Sequence, residues 1–406
     1  MKKLLKEYTE ENNKYYVIKV FRLFLYGWVL MNTLILLPAA EHFWGVGSYI
    51  ELMNLSNSNI LEKALNLLHY PDITNYYWAF LVVQIGGAFL AMTNRFSFLG
   101  SILVFFATMN LDNRSYVTLD GGNNLMHILQ LYACLLIPTL KKSSYLIPLG
   151  KTALLACQLQ VVSVYLVAGI LKVTGNVWPS GLALFYTLNV DSYSHPLLKN
   201  IINFSPIFSV LGSYMTLAFQ LSFPYLVWFK QTRYIMTFVG SMIHLGIAFG
   251  MGLMSFGFAM TISYFCFYDN EKAKKFYKLL LGQDKLYVAY DSLCSNCMTF
   301  AKLVRRTNFS KNIVIDDSHA PKTKELKEIS YEDRNRVMYL YNAGTGEVLS
   351  GFDAVYEIFK NSFVLKVFIP VLYVLKISKI GNKIYLRIAE SKWRSSCQNG
   401  QCQLNF

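Results

Sequence analysis

The chain has 406 residues, 54% of them hydrophobic and only 15% charged, with a net charge of +14. A soluble domain carries roughly 25% charged residues, so this balance excludes an ordinary soluble enzyme and points to apolar surface embedded in a membrane. Most lysines and arginines flank apolar runs or fall in the C-terminal third, which argues for membrane orientation and against nucleic acid as a partner.

The basic start, MKKLLKEYTEENNK, leads into a long apolar run with no small-residue cleavage site, so no cleavable leader is expected. Apolar runs about the length of one bilayer crossing then recur. They predict helices near 17–39, 75–93, 97–111, 124–140, 152–173, 206–229, 232–249 and 252–268, an α-helical polytopic membrane bundle of about eight crossings over residues 1–275. Lys2, Lys3, Lys6 and Lys14 precede the first helix. Arg95, the group Lys141, Lys142 and Lys151, the pair Lys230 and Arg233, and the cluster Lys272, Lys274 and Lys275 occupy loops on the same side. The opposite loops hold little beyond Lys63, Arg114 and Lys199, so both termini are expected in the cytoplasm.

Lys172 raises the sharpest question in this region. It ends the fifth helix, just before Trp178, Pro179 and Gly181. One reading is snorkelling, with the stem in lipid and the ammonium among headgroups. The other is a task, because a poorly hydrated ammonium gives up its proton more readily and can act as a general base. By the same topology Asp120, Asn123, Asn124 and His127 lie at the outward end of the fourth helix, His244 near that of the seventh, and His42, Trp44 and His195 in outward segments. Polar groups converging at one depth suggest a shared pocket.

Beyond residue 284 the pattern becomes that of a small α/β unit, expected over 284–395. KLYVAYD reads as a strand, MTFAKLVRR as a helix, NIVIDD as a second strand, KTKELKEI as a short helix, VMYLYN and EVLSG as a hairpin about AGTG, and FDAVYEIFK as a helix. Cys294 and Cys297 sit between the first strand and its helix, which is a thioredoxin-like order. A helix N-terminus favours a thiolate, making Cys294 the nucleophile and Cys297 the resolving thiol. The run 363–380, interrupted by Pro370 and dotted with lysines, reads as an interfacial or domain-packing helix.

Of seven cysteines, Cys134, Cys157 and Cys266 fall in apolar helices and read as small buried hydrophobes. The tail, 396–406, holds Cys397 and Cys402. Three readings stand for them: a redox relay with Cys294, a zinc site completed by Cys294 and Cys297, or no role. No resident metal is expected beyond that zinc alternative.

Two resemblances follow from these motifs. YLVAGILKVTGNVWPSGLAL (Tyr165–Leu184), GGNNLMHIL (Gly121–Leu129), QLSFPYL (Gln220–Leu226) and MIHLGIAFGMGLMSFG (Met242–Gly257) resemble the HTTM superfamily, which includes vitamin K-dependent γ-carboxylase. The arrangement is most similar to the SdpB-like branch, bacterial membrane proteins that mature secreted peptide toxins. The resemblance implies Lys172 as the base acting on a quinone or vitamin K-like hydroquinone, with Asn123, Asn124, His127, Trp178, Gln220 and His244 around the substrate. It also implies a bacterial inner-membrane location and an exported peptide or toxin precursor as partner, besides membrane lipid. The carboxylase's large lumenal domain has no counterpart here, so glutamate γ-carboxylation is not implied. Residues 284–395, with Asp291, Cys294 and Cys297, resemble the DCC family of thiol-disulfide oxidoreductases. The rival expectation is a non-catalytic toxin-binding or immunity-like membrane protein carrying a separate thiol domain.

Overall fold

The computed structural model describes residues 14–93, 96–138, 146–281, 284–292, 294–308, 312–362 and 365–390. Lys2, Lys3, Lys6, Arg95, Lys141, Lys142, Cys397 and Cys402 lie outside these described residues. The chain divides into two compact units, Met1–Ala273 and Lys274–Phe406.

The first unit is helical. Its main helices are α1 (Tyr15–Leu36), α2 (Tyr77–Met92), α3 (Ser97–Arg114), α4 (Gly121–Ala133), α5 (Leu146–Thr174), α6 (Pro206–Leu226), α7 (Lys230–Met251) and α8 (Met254–Ser263). They stand where the eight apolar runs predict helices. Four spans are long and apolar enough to cross a membrane: Tyr15–Trp44, which continues α1, and helices α5, α6 and α7. Two other helical runs, Tyr77–Met92 and Met254–Phe267, are apolar but shorter. Helix α4 has only 13 residues, about 20 Å at 1.5 Å per residue, against a hydrocarbon core of about 30 Å.

Helix α4 begins three residues before the predicted start because Asp120 caps it. Its carboxylate accepts from the backbone N–H groups of Gly122 (2.7 Å) and Asn123 (3.1 Å), and Asn123 Oδ1 accepts from Asp120 N–H (3.1 Å). That reciprocal box satisfies donors that a helix start otherwise leaves orphaned. Helices α2 and α3 approach closely at Gly100, where an added Cβ would fall 2.7 Å from Ala91 Cα. Small residues permit such close approach of two helix backbones.

Arg22, inside α1, is 2% exposed. Its guanidinium donates to the carbonyls of Ala91 (2.6 Å), Ser97 (2.7 Å), Ala133 (2.6 Å) and Leu136 (3.1 Å) and to Ser101 Oγ (2.8 Å). Ala91 and Ala133 belong to the last turns of α2 and α4, where free carbonyls and the helix dipole concentrate negative charge. One cation therefore ties two helix ends to α1.

The second unit contains a four-stranded sheet: β1 (Leu286–Tyr290), β2 (Ile313–Asp317), β3 (Tyr339–Asn342) and β4 (Glu347–Ser350). Their order is β2-β1-β3-β4, with β2 parallel to β1 and the β1–β3 and β3–β4 pairs antiparallel. Helix α9 (Ser295–Thr307) links β1 to β2, and α10 (Gly351–Asn361) follows β4. This is the predicted element order. Alternate residues Leu286 and Val288 of β1 share a core with Ile313, Leu340, Val304, Ala354 and Ile358, as the period of two along a strand requires.

The run 363–380 holds one helix, α11 (Ile369–Ile377), and a second helix that it did not include, α12 (Ile380–Glu390), follows it. Pro370 does not interrupt them. It sits in the first turn of α11, where its missing N–H costs nothing. The break comes at Lys379, whose φ of 58° lies in the left-handed region.

Candidate functional site

Strand β1 delivers Tyr290 and Asp291 to the start of α9, and Cys294 caps that helix. Cys294 Sγ accepts from Cys297 N–H at 3.4 Å, and Cys294 N–H donates to Asp291 O at 3.2 Å. The first thiol thus meets the N-terminal end of a helix dipole, the environment in which a cysteine serves as nucleophile. The Cys297 thiol is pushed up to about 12, chiefly by burial and then by its contact with Cys294 and the charge of Asp291. A thiol held protonated in this way suits the resolving member of a thiol pair.

Both cysteines line a cavity of about 270 Å³. Its walls are mostly apolar, with Phe300 from α9, Val337 and Met338 ahead of β3, Phe352 from α10, and Ile384 and Tyr385 from α12. Tyr385 Oη accepts from Met338 N–H at 2.8 Å, which fixes α12 against the strand edge beside the thiols. The Tyr385 phenol is itself pushed up to about 12, first by burial. Arg334 is buried and donates to the carbonyls of Ser318 (2.9 Å), Leu326 (2.9 Å) and Ile329, holding the loop that follows β2.

A second polar chain reaches the thiol pair. Asp291 Oδ1 and His319 Nε2 are 3.2 Å apart, and His319 Nδ1 lies 2.9 Å from Tyr331 Oη. Because β1 and β2 are parallel, the residues after each strand emerge at the same edge of the sheet, which brings His319 to Asp291. The sequence reading missed His319. The signal was there: it follows the second strand of a parallel pair whose first strand ends in the cysteine motif.

The residues predicted to share a pocket in the helical unit fall into three groups. Lys172 is half-buried, with Nζ 5.1 Å from the centre of the Trp178 ring. Lys172, Gly169 and Tyr165 share one face of α5, three and four residues apart, and Gln220 packs on that face: a Cβ built at Gly169 would meet Gln220 Cβ at 3.5 Å. Among the described residues Gln220 Oε1 is buried without a hydrogen-bond partner.

The second group is buried. His244 Nε2 is 2.7 Å from Tyr165 Oη, which also bonds Tyr264 Oη. The third group lies around α4. His127 Nε2 is 2.6 Å from Asp112 Oδ2. Asn123 caps α4 and lines a polar cavity of about 30 Å³ with Asn32, Gln84, Asp112 and Gln130, large enough for one water. Asn124 is exposed. His42 stacks on Tyr49, buried Trp44 packs in the cluster with Leu68 and Leu111, and His195 caps its own helix. The structure therefore joins Lys172 with Trp178 and the Gln220 face of α5, and engages Asn123 in capping α4.

The tail cysteines, Cys397 and Cys402, lie outside the described residues. Among the described residues no group of three or more His, Cys, Asp or Glu side chains is arranged to hold a metal ion.

No curated protein and no solved structure matches the chain. Residues 288–398 match the family model of DCC1-like thiol-disulfide oxidoreductases, which takes in both cysteines, His319 and the helices that wall the cavity.

Proposed function

We propose that the protein is a membrane-anchored thiol-disulfide oxidoreductase whose reaction centre is Cys294, with Cys297 as the resolving thiol. The observation that carries this reading is Cys294 Sγ on a helix N–H at the edge of a mostly apolar cavity. The Cys294 thiolate attacks a substrate disulfide, forming a mixed disulfide and releasing one substrate thiolate. Cys297 then loses its proton and attacks Cys294 Sγ, releasing the second thiol and leaving a Cys294–Cys297 disulfide. Two electrons pass from the protein dithiol to the substrate; the reverse sequence oxidises a substrate dithiol. The lining favours a substrate that is apolar beside its sulfur.

Incubation of the detergent-solubilised full chain with glutathione disulfide tests the assignment. Cys297→Ser is expected to accumulate a glutathione adduct on Cys294, and Cys294→Ser to exchange at the background rate. An adduct that forms equally on Cys297 in Cys294→Ser would overturn it.

The finer reading adds a second centre: an inner-membrane protein of about eight crossings, both termini cytoplasmic, that matures an exported peptide, with Lys172 as base toward a quinone-like lipid. Support comes from the common face of Tyr165, Gly169 and Lys172 with Gln220 packed against it. Lys172→Ala should abolish quinone-dependent turnover and spare glutathione exchange. A quinone-independent protein that binds a peptide toxin equally well with and without Lys172 would favour the non-catalytic alternative. Cys397 and Cys402 enter this proposal as a relay for Cys294, to be tested by trapping a Cys294–Cys397 disulfide in Cys297→Ser.

A further inference from the structure

We infer that α11 and α12 form a docking surface for an anionic lipid bilayer. Two faces of this helix pair differ sharply. One is held on the sheet unit: Gly381 lies against the Phe352 ring, Tyr385 bonds Met338, and Lys376 meets Asp353 at 2.9 Å. The other is apolar and open. Val371, Val374 and Ile377 on α11 are each more than 60% exposed, and Ile380, Ile384 and Ile388 on α12 about half exposed. On a soluble surface such a concentration of large apolar side chains is costly and marks an interaction site.

The charges decide the occupant. Across α11 and α12 the sequence places Lys376, Lys379, Lys383 and Arg387 against one acidic residue, Glu390 at the end of α12, and Lys376 is paired with Asp353. Lys383 and Arg387 stand beside Ile384 and Ile388 on one stripe of α12, three and four residues from their neighbours. Their stems can lie along apolar surface while their charged ends reach phosphates. A second copy of the same face would bring like charges together. A bilayer with anionic headgroups complements both features, and the chain's four candidate membrane spans keep one at hand.

Docking has a consequence for the thiols, which rests on the exchange reading above. Ile384 and Ile388 also line the cavity of Cys294 and Cys297. With α12 in the headgroup layer, a disulfide carried on a lipid or a membrane-bound peptide reaches Cys294 from the lipid–water boundary.

The test uses the full chain in nanodiscs of phosphatidylethanolamine and phosphatidylglycerol, with a photo-crosslinking phenylalanine analogue placed at Val374, at Ile380 or, as control, at exposed Thr345. Mass spectrometry should find lipid adducts at Val374 and Ile380 well above those at Thr345. The double variant K379E/K383E should reduce them, each reversal by about fivefold. Adducts to a second copy or to protein segments, or lipid adducts no more frequent than at Thr345, would overturn the proposal. Exchange separates the two readings. K379E/K383E should keep the wild-type rate with glutathione disulfide and lose preference for a lipid-tethered disulfide. Loss of soluble exchange in the wild-type chain would defeat the redox reading while leaving the adduct result to stand.

Discussion

In the helical unit the cation of Arg22 ends on four backbone carbonyls and one serine, whereas in the sheet unit Cys294, Cys297 and Asp291 line a 270 Å³ cavity. The difference comes from what each unit offers a polar group. Between apolar helices, unsatisfied helix ends are the nearest partners: the ends of α2 and α4 absorb Arg22, and the start of α4 absorbs its own Asp120 and Asn123. At the strand–helix junction the chain sets side chains beside a cavity at the end of the sheet: Cys294 is only 6% exposed, and both thiols border that cavity. Polarity in an apolar helix is thus weak evidence of chemistry, and a thiol pair at such a junction is strong evidence.

The largest effect is expected at Cys297. With Cys297 pushed up to about 12, chiefly by burial, its thiol stays protonated at neutral pH. Iodoacetamide near pH 8 should therefore label Cys297 slowly, and its labelling should keep rising toward pH 12. Cys294→Ser and Asp291→Asn each remove a contribution that raises Cys297, so the midpoint should fall in both. It should remain above that of a free thiol, because burial is the larger cause.

Removing the buried cation should come next. Arg22→Leu takes the guanidinium from the carbonyls of Ala91 and Leu136, while Ser97 keeps Ser101 Oγ and Ala133 keeps Leu136 N–H, and should destabilise the helical unit by about 3 kcal/mol. Denaturant unfolding in micelles would measure it. Glutathione exchange by the folded fraction should not change, and a matching loss of exchange would break the contrast drawn between the units. His319→Ala should behave in the opposite way. It removes the imidazole beside Asp291 and should slow exchange roughly tenfold, with the unfolding of the helical unit unaltered.

These variants also show what could be read from sequence. Cys294 and Cys297 were legible because the motif, its preceding strand and its following helix are contiguous. His319 was not, since its approach to Asp291 depends on parallel pairing across 28 positions. Arg22 was hidden for a related reason: its partners are backbone carbonyls, which no residue pattern marks. Asp120 and Asn123 are visible as polar residues and Asn123 does line a small cavity, but their capping of α4 is also legible, in the spacing of a capping box. The apolar run after 363 was read as a helix. The helix that carries Tyr385 to the thiol cavity lies beyond that run, after the left-handed residue Lys379. Asp120→Ala should accordingly cost about 1 kcal/mol of helical stability, the usual value of a lost N-cap, with no effect on exchange.

Lys172 gives the smallest expected change in stability and the sharpest test of the comparison. Its ammonium lies 5.1 Å from the Trp178 ring centre at the end of α5, a contact worth about 0.5–1 kcal/mol where partly solvated. A double-mutant cycle of Lys172→Ala and Trp178→Leu should return a coupling of that size. If Lys172 only anchors the helix end, Lys172→Arg restores both stability and any membrane-borne turnover, because a guanidinium also sits over an aromatic face. If Lys172 takes a proton from a lipid substrate, Lys172→Arg restores stability alone, since a guanidinium does not deprotonate near neutral pH. The arginine variant therefore divides an interfacial cation from a base at Lys172.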